Sequence, residues 1–198
     1  MDWQNENTIQ SEVKNLLPND KDSYKRHIST HSKYSVEDHA AVSTLNDFFI
    51  SGGKINPDFS YCDRWPNHDG TFEFVPNPDI SRCPEQVFMV QIKGTSNYRE
   101  SEGIISCQRT SLAFPAFIAN EVTADPGILF IVLDPERRGD KRVFWRYLSP
   151  SFIRSIDFEK GSATIKLRPE DEIKNTDESI DQVYFPVMRK RCLMKTGL

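Results

Sequence analysis

Four polar side chains in the first half of the chain stand where chemistry is possible. Glu37 shares one helical stripe with Ala41, Thr44 and Phe48, because those positions are spaced four, three and four apart. With Ala40, Leu45 and Phe48 marking the apolar face, Glu37 belongs to the buried side, near its N-terminal end. A carboxylate there has two readings. It is either a first-turn acid favoured by the helix dipole and nearby solvent, or a group facing a metal site on an adjacent sheet. Asp69, in Asn67-His68-Asp69-Gly70, opens the run Thr71-Phe-Glu-Phe-Val75, although Asp-Gly alone is an ordinary turn signal. Gln91 and Lys93 lie in Val87-Phe-Met-Val-Gln-Ile-Lys-Gly-Thr95, and strand alternation puts both on one face. A strand apolar enough to be central does not readily hold an amide and an ammonium side by side, since burying each unpaired costs ~2 kcal/mol or more. Either this strand is an edge with one solvated face, or the two side chains serve a site.

The elements that must position these residues are legible in outline. Ser35 is an N-cap candidate, with Asp38 three residues on as in a capping box, and the periodic segment that follows runs to Ile50 before Gly52-Gly53 ends it. Three strand-like runs come next, Ile55 to Tyr61, Thr71 to Val75 and Gln86 to Lys93, separated by Pro, Asn and Asp clusters and read as a meander. Ser111 to Val122 is expected to be helical despite Pro115. Ile128 to Leu133 is a continuous apolar strand of the kind buried on both faces, and Val143 to Leu148 alternates and pairs with it. A short helical turn near Ser151 to Ile156 and a strand at Ala163 to Leu167 complete the series. This order predicts an α/β (mixed α+β) fold with helices on the faces of a mixed sheet. Residues 1–33 read as an accessory segment, 34–170 as the core and 171–198 as a C-terminal segment leading towards a further domain. The charged stretch Arg168 to Asp181 reads as a solvated connection.

Composition narrows the classes. A chain of 198 residues with 37% hydrophobic and 27% charged residues suits one globular domain. No apolar run approaches the ~20 residues of a membrane span, and Met1 to Asn7 is no signal peptide, so a cytoplasmic home without membrane contact is expected. Cys62, Cys83, Cys107 and Cys192 form no CxxC pair and read as free thiols. His27 and His31 have the spacing of a helical metal pair but lack an accompanying Glu-bearing zinc motif, and read as surface histidines. The net charge of −4 excludes a generally sticky nucleic-acid binder. DNA remains compatible if the basic side chains gather in one groove, or come from another subunit. Lys54, Arg64, Arg99 and Arg109 lie beside the motif strands as candidate phosphate contacts, whereas Arg137, Arg138, Lys141, Arg142 and Arg146 flank a hairpin turn and are expected to be solvated.

Taken together, Glu37, Asp69, Gln91 and Lys93 stand in the order found in the PD-(D/E)XK nuclease superfamily, which this chain resembles from roughly Ser35 to Leu148. The core of that superfamily is a helix bearing a Glu, a meander carrying an Asp, and a strand carrying (Asp/Glu/Gln)-x-Lys. Gln91-Ile-Lys-Gly-Thr95 is similar to the Gln-Val-Lys-Gly-Thr form of restriction-like and prokaryotic defence-associated nucleases. The resemblance implies a restriction-endonuclease-like sheet and a divalent cation held by Asp69, the Gln91 side-chain oxygen and the main-chain carbonyl of Ile92, with Glu73 as a reserve ligand. Mg²⁺ fits such a sparse set of hard oxygen ligands, and Mn²⁺ substitutes. It further implies that Lys93 positions the attacking water or stabilises phosphoryl charge, while Glu37 holds a water of that cation or a second ion. Gln91 replaces a carboxylate with a neutral amide, which leaves Asp69, with Glu37 or Glu73, to attract the cation. The implied activity is hydrolysis of DNA phosphodiesters, duplex preferred, by a restriction or antiphage effector working as a homodimer or inside a sensor–effector assembly. The alternative is a degenerate nuclease fold that binds nucleic acid or a protein partner.

Overall fold

A computed structural model describes residues 35–50, 55–60, 68–74, 86–120, 127–139 and 141–173. Helix α1 spans Val36–Ile50. Its start is the expected capping box: Asp38 N donates to Ser35 Oγ at 3.1 Å, and Ser35 N donates to Asp38 Oδ2 at 3.2 Å. Its buried stripe is Ala41, Val42, Leu45, Phe48 and Phe49.

Strands β1 (Ile55–Phe59), β2 (Gly70–Phe74) and β3 (Gln86–Thr95) form the predicted antiparallel meander. The chain then makes a hairpin, β4 (Tyr98–Ser101) and β5 (Ile104–Thr110), followed by helix α2 (Ala113–Asn120). Pro115 is tolerated in α2 because it falls in the first turn, where its missing N–H has no intrahelical partner to lose. Strand β6 (Gly127–Leu133) returns parallel to β3, and β7 (Arg142–Tyr147) pairs antiparallel with β6. Helix α3 (Pro150–Arg154) is capped by Ser149, whose Oγ accepts from Phe152 N, and β8 (Ala163–Leu167) follows. A 3₁₀ turn at Pro169–Asp171 leads into β9 (Glu172–Ile173).

The strands form a mixed six-stranded sheet in the order β1-β2-β3-β6-β7-β9 and a separate antiparallel sheet β4-β5-β8. The class is therefore mixed α+β, as predicted. Every residue of β6 is buried, which makes this strand the wall between two cores. Ile128, Phe130 and Val132 join α1 and the meander on one side. Leu129, Ile131 and Leu133 join α2, α3 and the inner face of the small sheet on the other. On the α1 side, Phe49, Phe72, Phe88 and Phe130 make a contiguous ring cluster, with Phe72 and Phe88 stacked at 4.9 Å between centroids. Each fully buried side chain of this size contributes about 1.5–3 kcal/mol.

Three expectations change. The expected single mixed sheet is two sheets: the strand Ala163–Leu167 joins a separate small sheet with the hairpin β4–β5, which the sequence reading does not include. Part of the stretch read as a solvated connection is structured: β9 pairs with β7, with Val143 opposite Ile173, and so extends the sheet past residue 170. The arginines flanking the turn are not all solvated. Arg142 donates from Nε and Nη2 to Glu172 at 3.0 and 2.9 Å and lies over the Phe144 ring, so the carboxylates raise its pKa. Arg146 pairs with Asp171 and donates to the Lys166 carbonyl at 2.8 Å. Both clamp the 3₁₀ turn and β9 onto the sheet. Among the described residues no helix is long and apolar enough to cross a membrane.

Candidate active site at the open edge of strand β3

The β2–β3 ladder stops at Gly70 opposite Val90, but β3 runs on to Thr95 with β6 alone beside it. Beyond that point the N–H and C=O groups of alternate β3 residues face the side β2 has vacated. Two carboxylates take over there. Asp69 Oδ2 accepts from Ile92 N at 2.6 Å, and Asp38 Oδ1 accepts from Gly94 N at 3.1 Å. Leaving such buried donors unmet would cost about 1–3 kcal/mol each.

Asp69 is held before its side chain acts. Its N–H donates to the Val90 carbonyl at 2.7 Å and its carbonyl accepts from Ser60 N at 2.9 Å, which leaves the residue 3% exposed. Gly70 follows with φ of +144°, and a Cβ there would stand 2.2 Å from the Asp58 carbonyl oxygen. The glycine therefore lets β1 close over the turn that aims Asp69 at β3. Gln91 donates from Nε2 to the same Asp69 Oδ2. A half-turn of the amide exchanges nitrogen for oxygen, so this side chain can present a donor or an acceptor at one place. The N–H and C=O of a strand residue point to the same side, so the Ile92 carbonyl opens on the edge where Asp69 caps its N–H.

Lys93 Nζ stands 3.1 Å from Asp38 Oδ1, with the two side chains 34% and 13% exposed. Asp38, rather than Glu37, is the carboxylate that α1 sends to β3. The buried stripe Ala41, Val42, Leu45, Phe48, Phe49 continues one turn back to position 38. The expected apolar face, drawn through Ala40, was rotated by one residue. Glu37 instead presents its main chain: a Cβ on Gly94 would lie 2.2 Å from the Glu37 carbonyl oxygen. Gly94 is thus the contact that admits the first turn of α1 to β3, which brings Asp38 within reach of Lys93. One carboxylate serves both ends, with Oδ2 in the helix cap and Oδ1 on β3.

The surroundings follow from topology. β3 and β6 are parallel, and ligands of open α/β sheets bind beyond the carboxyl ends of such strands. At that end Asp134 N donates to the Thr95 carbonyl at 3.0 Å, and Tyr98 Oη donates to Asp134 Oδ2 at 2.9 Å. The hydrogen bond to Asp134, reinforced by burial, raises the Tyr98 phenol pKa. His68, beside Asp69, stacks on Phe117 of α2 with centroids 5.7 Å apart.

The other predicted site residues lie elsewhere. Glu73 is opposite Val87, four residues from Asp69 along the strand direction, or roughly 13 Å. Its carboxylate accepts from Asn56 Nδ2 at 3.1 Å, so it does not join Asp69. Arg99 and Arg109 are exposed on the small sheet, Arg99 in β4 and Arg109 at an irregularity of β5 with φ of +55°. Lys54, Arg64, His27, His31, Cys62, Cys83 and Cys192 lie outside the described residues, and Cys107 is a buried free thiol. The sequence marks Asp38 only as part of the helix cap. Its second role was legible in the stripe, had the buried positions been placed correctly.

Among the described residues no three His, Cys, Asp or Glu side chains gather closely enough to hold a metal ion. A cation here would rest on the buried Asp69 carboxylate, the amide oxygen of Gln91 and the Ile92 carbonyl. That is an all-oxygen set leaving most positions to water and phosphate, which fits Mg²⁺ better than Zn²⁺. No family model, no curated protein and no solved structure matches the chain.

Proposed function

We propose that this chain is a Mg²⁺-dependent nuclease of the PD-(D/E)XK type, hydrolysing phosphodiesters of duplex DNA. The observation that carries the reading is the convergence of Asp69, Gln91 and the Ile92 carbonyl at the open edge of β3, with Lys93 beside them on the Gln91 face. The order helix, three-stranded meander, helix, parallel strand supports a restriction-endonuclease-like core.

In this reading Asp69, the Gln91 amide oxygen and the Ile92 carbonyl would hold the cation. Bound there, the cation supplies neutralisation of phosphoryl charge and a more acidic water at neutral pH. Lys93 offers a proton-donating ammonium to a phosphoryl oxygen or orients the attacking water. Asp38 holds that ammonium at the site, and Gly94 sets how far α1 may approach. His68, next in sequence to Asp69 and stacked on Phe117, would wall the substrate in this reading. A restriction or antiphage role, and assembly as a homodimer or with a sensor, follow from the same resemblance.

One observation favours the rival reading of a binding module without catalysis. Asp69 and Asp38 already satisfy β3, Gln91 and Lys93 among themselves. Metal linkage separates the two. A catalytic domain gains stability with Mg²⁺ or Mn²⁺ as concentration rises, by about 2.7 kcal/mol at a hundredfold excess over Kd. Asp69→Asn, which retains an acceptor for Ile92 N but loses the charge, should remove that gain. A thermal midpoint that ignores both cations in the parent chain supports the binding module and contradicts the nuclease.

A further inference from the structure

The small sheet β4-β5-β8 has one face in the core and one in solvent. Ile105, Cys107, Ile165 and Leu167 point inward and are buried. Strand alternation turns Arg99, Ser101, Ile104, Ser106, Thr164 and Lys166 outward, all of them exposed or half-buried. The register places Arg99 opposite Ser106 and Ser106 opposite Lys166, so the two cations flank a serine across three adjacent strands, about 10 Å apart.

No outward position of these strands carries an acid. Glu100 turns away to pair with Arg142 at 3.2 Å, Glu102 sits at the hairpin tip, and Glu170 lies beyond the end of β8, 3.6 Å from Arg168. In a chain of net charge −4, a sheet face bearing only positive charge is a local inversion of the average. The strand carrying Lys166 is tied to the main sheet: Arg146 of β7 donates to the Lys166 carbonyl at 2.8 Å. The face also adjoins the candidate site in sequence. Arg99 lies six residues beyond Lys93, at most about 20 Å of chain, and Arg109 is exposed near the C-terminal end of β5.

We propose that the outward face of β4-β5-β8, through Arg99 and Lys166, is a docking surface for the phosphate backbone of duplex DNA. The proposal rests on the nuclease reading for its choice of polyanion, and it deepens that reading by locating where the substrate is gripped outside the reacting centre. Phosphate contacts of this kind position a duplex without reading its sequence, and they make affinity depend steeply on salt.

The test is binding of a fluorescent duplex in EDTA, where no cleavage occurs, over a titration of KCl. The parent should bind with a salt-dependent Kd. The double variant Arg99→Ala/Lys166→Ala should weaken binding about tenfold and flatten the slope of log Kd against log salt by about 2. Its thermal midpoint, unchanged for two exposed residues, excludes misfolding. Arg138→Ala, which removes an exposed cation from the β6–β7 turn instead, should leave Kd within about twofold. A double variant that binds as the parent does, an equal loss in Arg138→Ala, or a parent that does not bind duplex DNA would each overturn the proposal. Binding in EDTA that the double variant loses, without any cleavage in Mg²⁺, would support the docking surface while removing the catalytic reading.

Discussion

At the scale of single residues, the two acids at the start of α1 have different fates that their adjacency hides. Asp38 Oδ2 closes the helix cap and Oδ1 serves Gly94 and Lys93, so truncating it strips two elements at once. Asp38→Ala should cost about 1–3 kcal/mol in urea unfolding, whereas Glu37→Ala should stay within about 0.5 kcal/mol. The reverse ranking would contradict the assignment. Gly94 tests the same junction from the other side. Gly94→Ala forces a Cβ to within 2.2 Å of a main-chain oxygen that cannot rotate away, so α1 must shift, at about 1–3 kcal/mol. The sequence displayed Asp69, Gln91 and Lys93 because their residue types conflict with an apolar strand. It displayed Asp38 only as a cap, because choosing between two neighbouring acids requires a helix phase known to within one residue. Glu73 misled for a related reason: alternation fixes which face a residue occupies but not how far along the strand it lies.

At the scale of elements, long apolar or well-capped segments were legible and the hairpin β4–β5 was not. Strand β6 announced itself by seven consecutive apolar or small residues, and α1 by its cap. Tyr98 to Thr110 mixes polar and apolar residues, and its turn is Glu102-Gly103, with φ of +53° and +75°. Two positive φ values mark a type I′ turn, whose usual signature is Asn-Gly. Glu in the first position pays the steric cost of a left-handed backbone and gives no signal in the sequence. Glu102→Asn should therefore raise the thermal midpoint by a degree or more, and Glu102→Val should lower stability by about 1 kcal/mol or more. Equal stability of the two variants would mean that the turn is not formed as described. The edge strand β9 was missed because two residues carry no periodicity; Arg142 and Arg146 hold it in place, and both are distant from it in sequence.

At the scale of the whole molecule, β6 separates two cores, and the candidate site lies on β3, the strand paired with it. Cys107 is buried in the core on the α2 side, and burial pushes its thiol from 9.0 up to about 11. An unfolded chain would release that proton first, so the stability it contributes is fully present below pH 9 and is lost as pH rises towards 11. Tyr98, also raised, acts with the same sign. Cys107→Ala should lower stability at neutral pH through the cavity it leaves, yet show a shallower decline between pH 9 and 11 in denaturant titrations. An unchanged slope would contradict a buried, neutral thiol. The central claim, that the open edge of β3 is a nuclease centre, is tested most directly by incubating plasmid and linear duplex DNA with Mg²⁺ or Mn²⁺ and comparing the parent chain with Asp69→Asn and Lys93→Ala. The account predicts metal-dependent cleavage by the parent and its loss in both variants. Absence of cleavage by the parent with either metal, or cleavage that survives both substitutions, would contradict it.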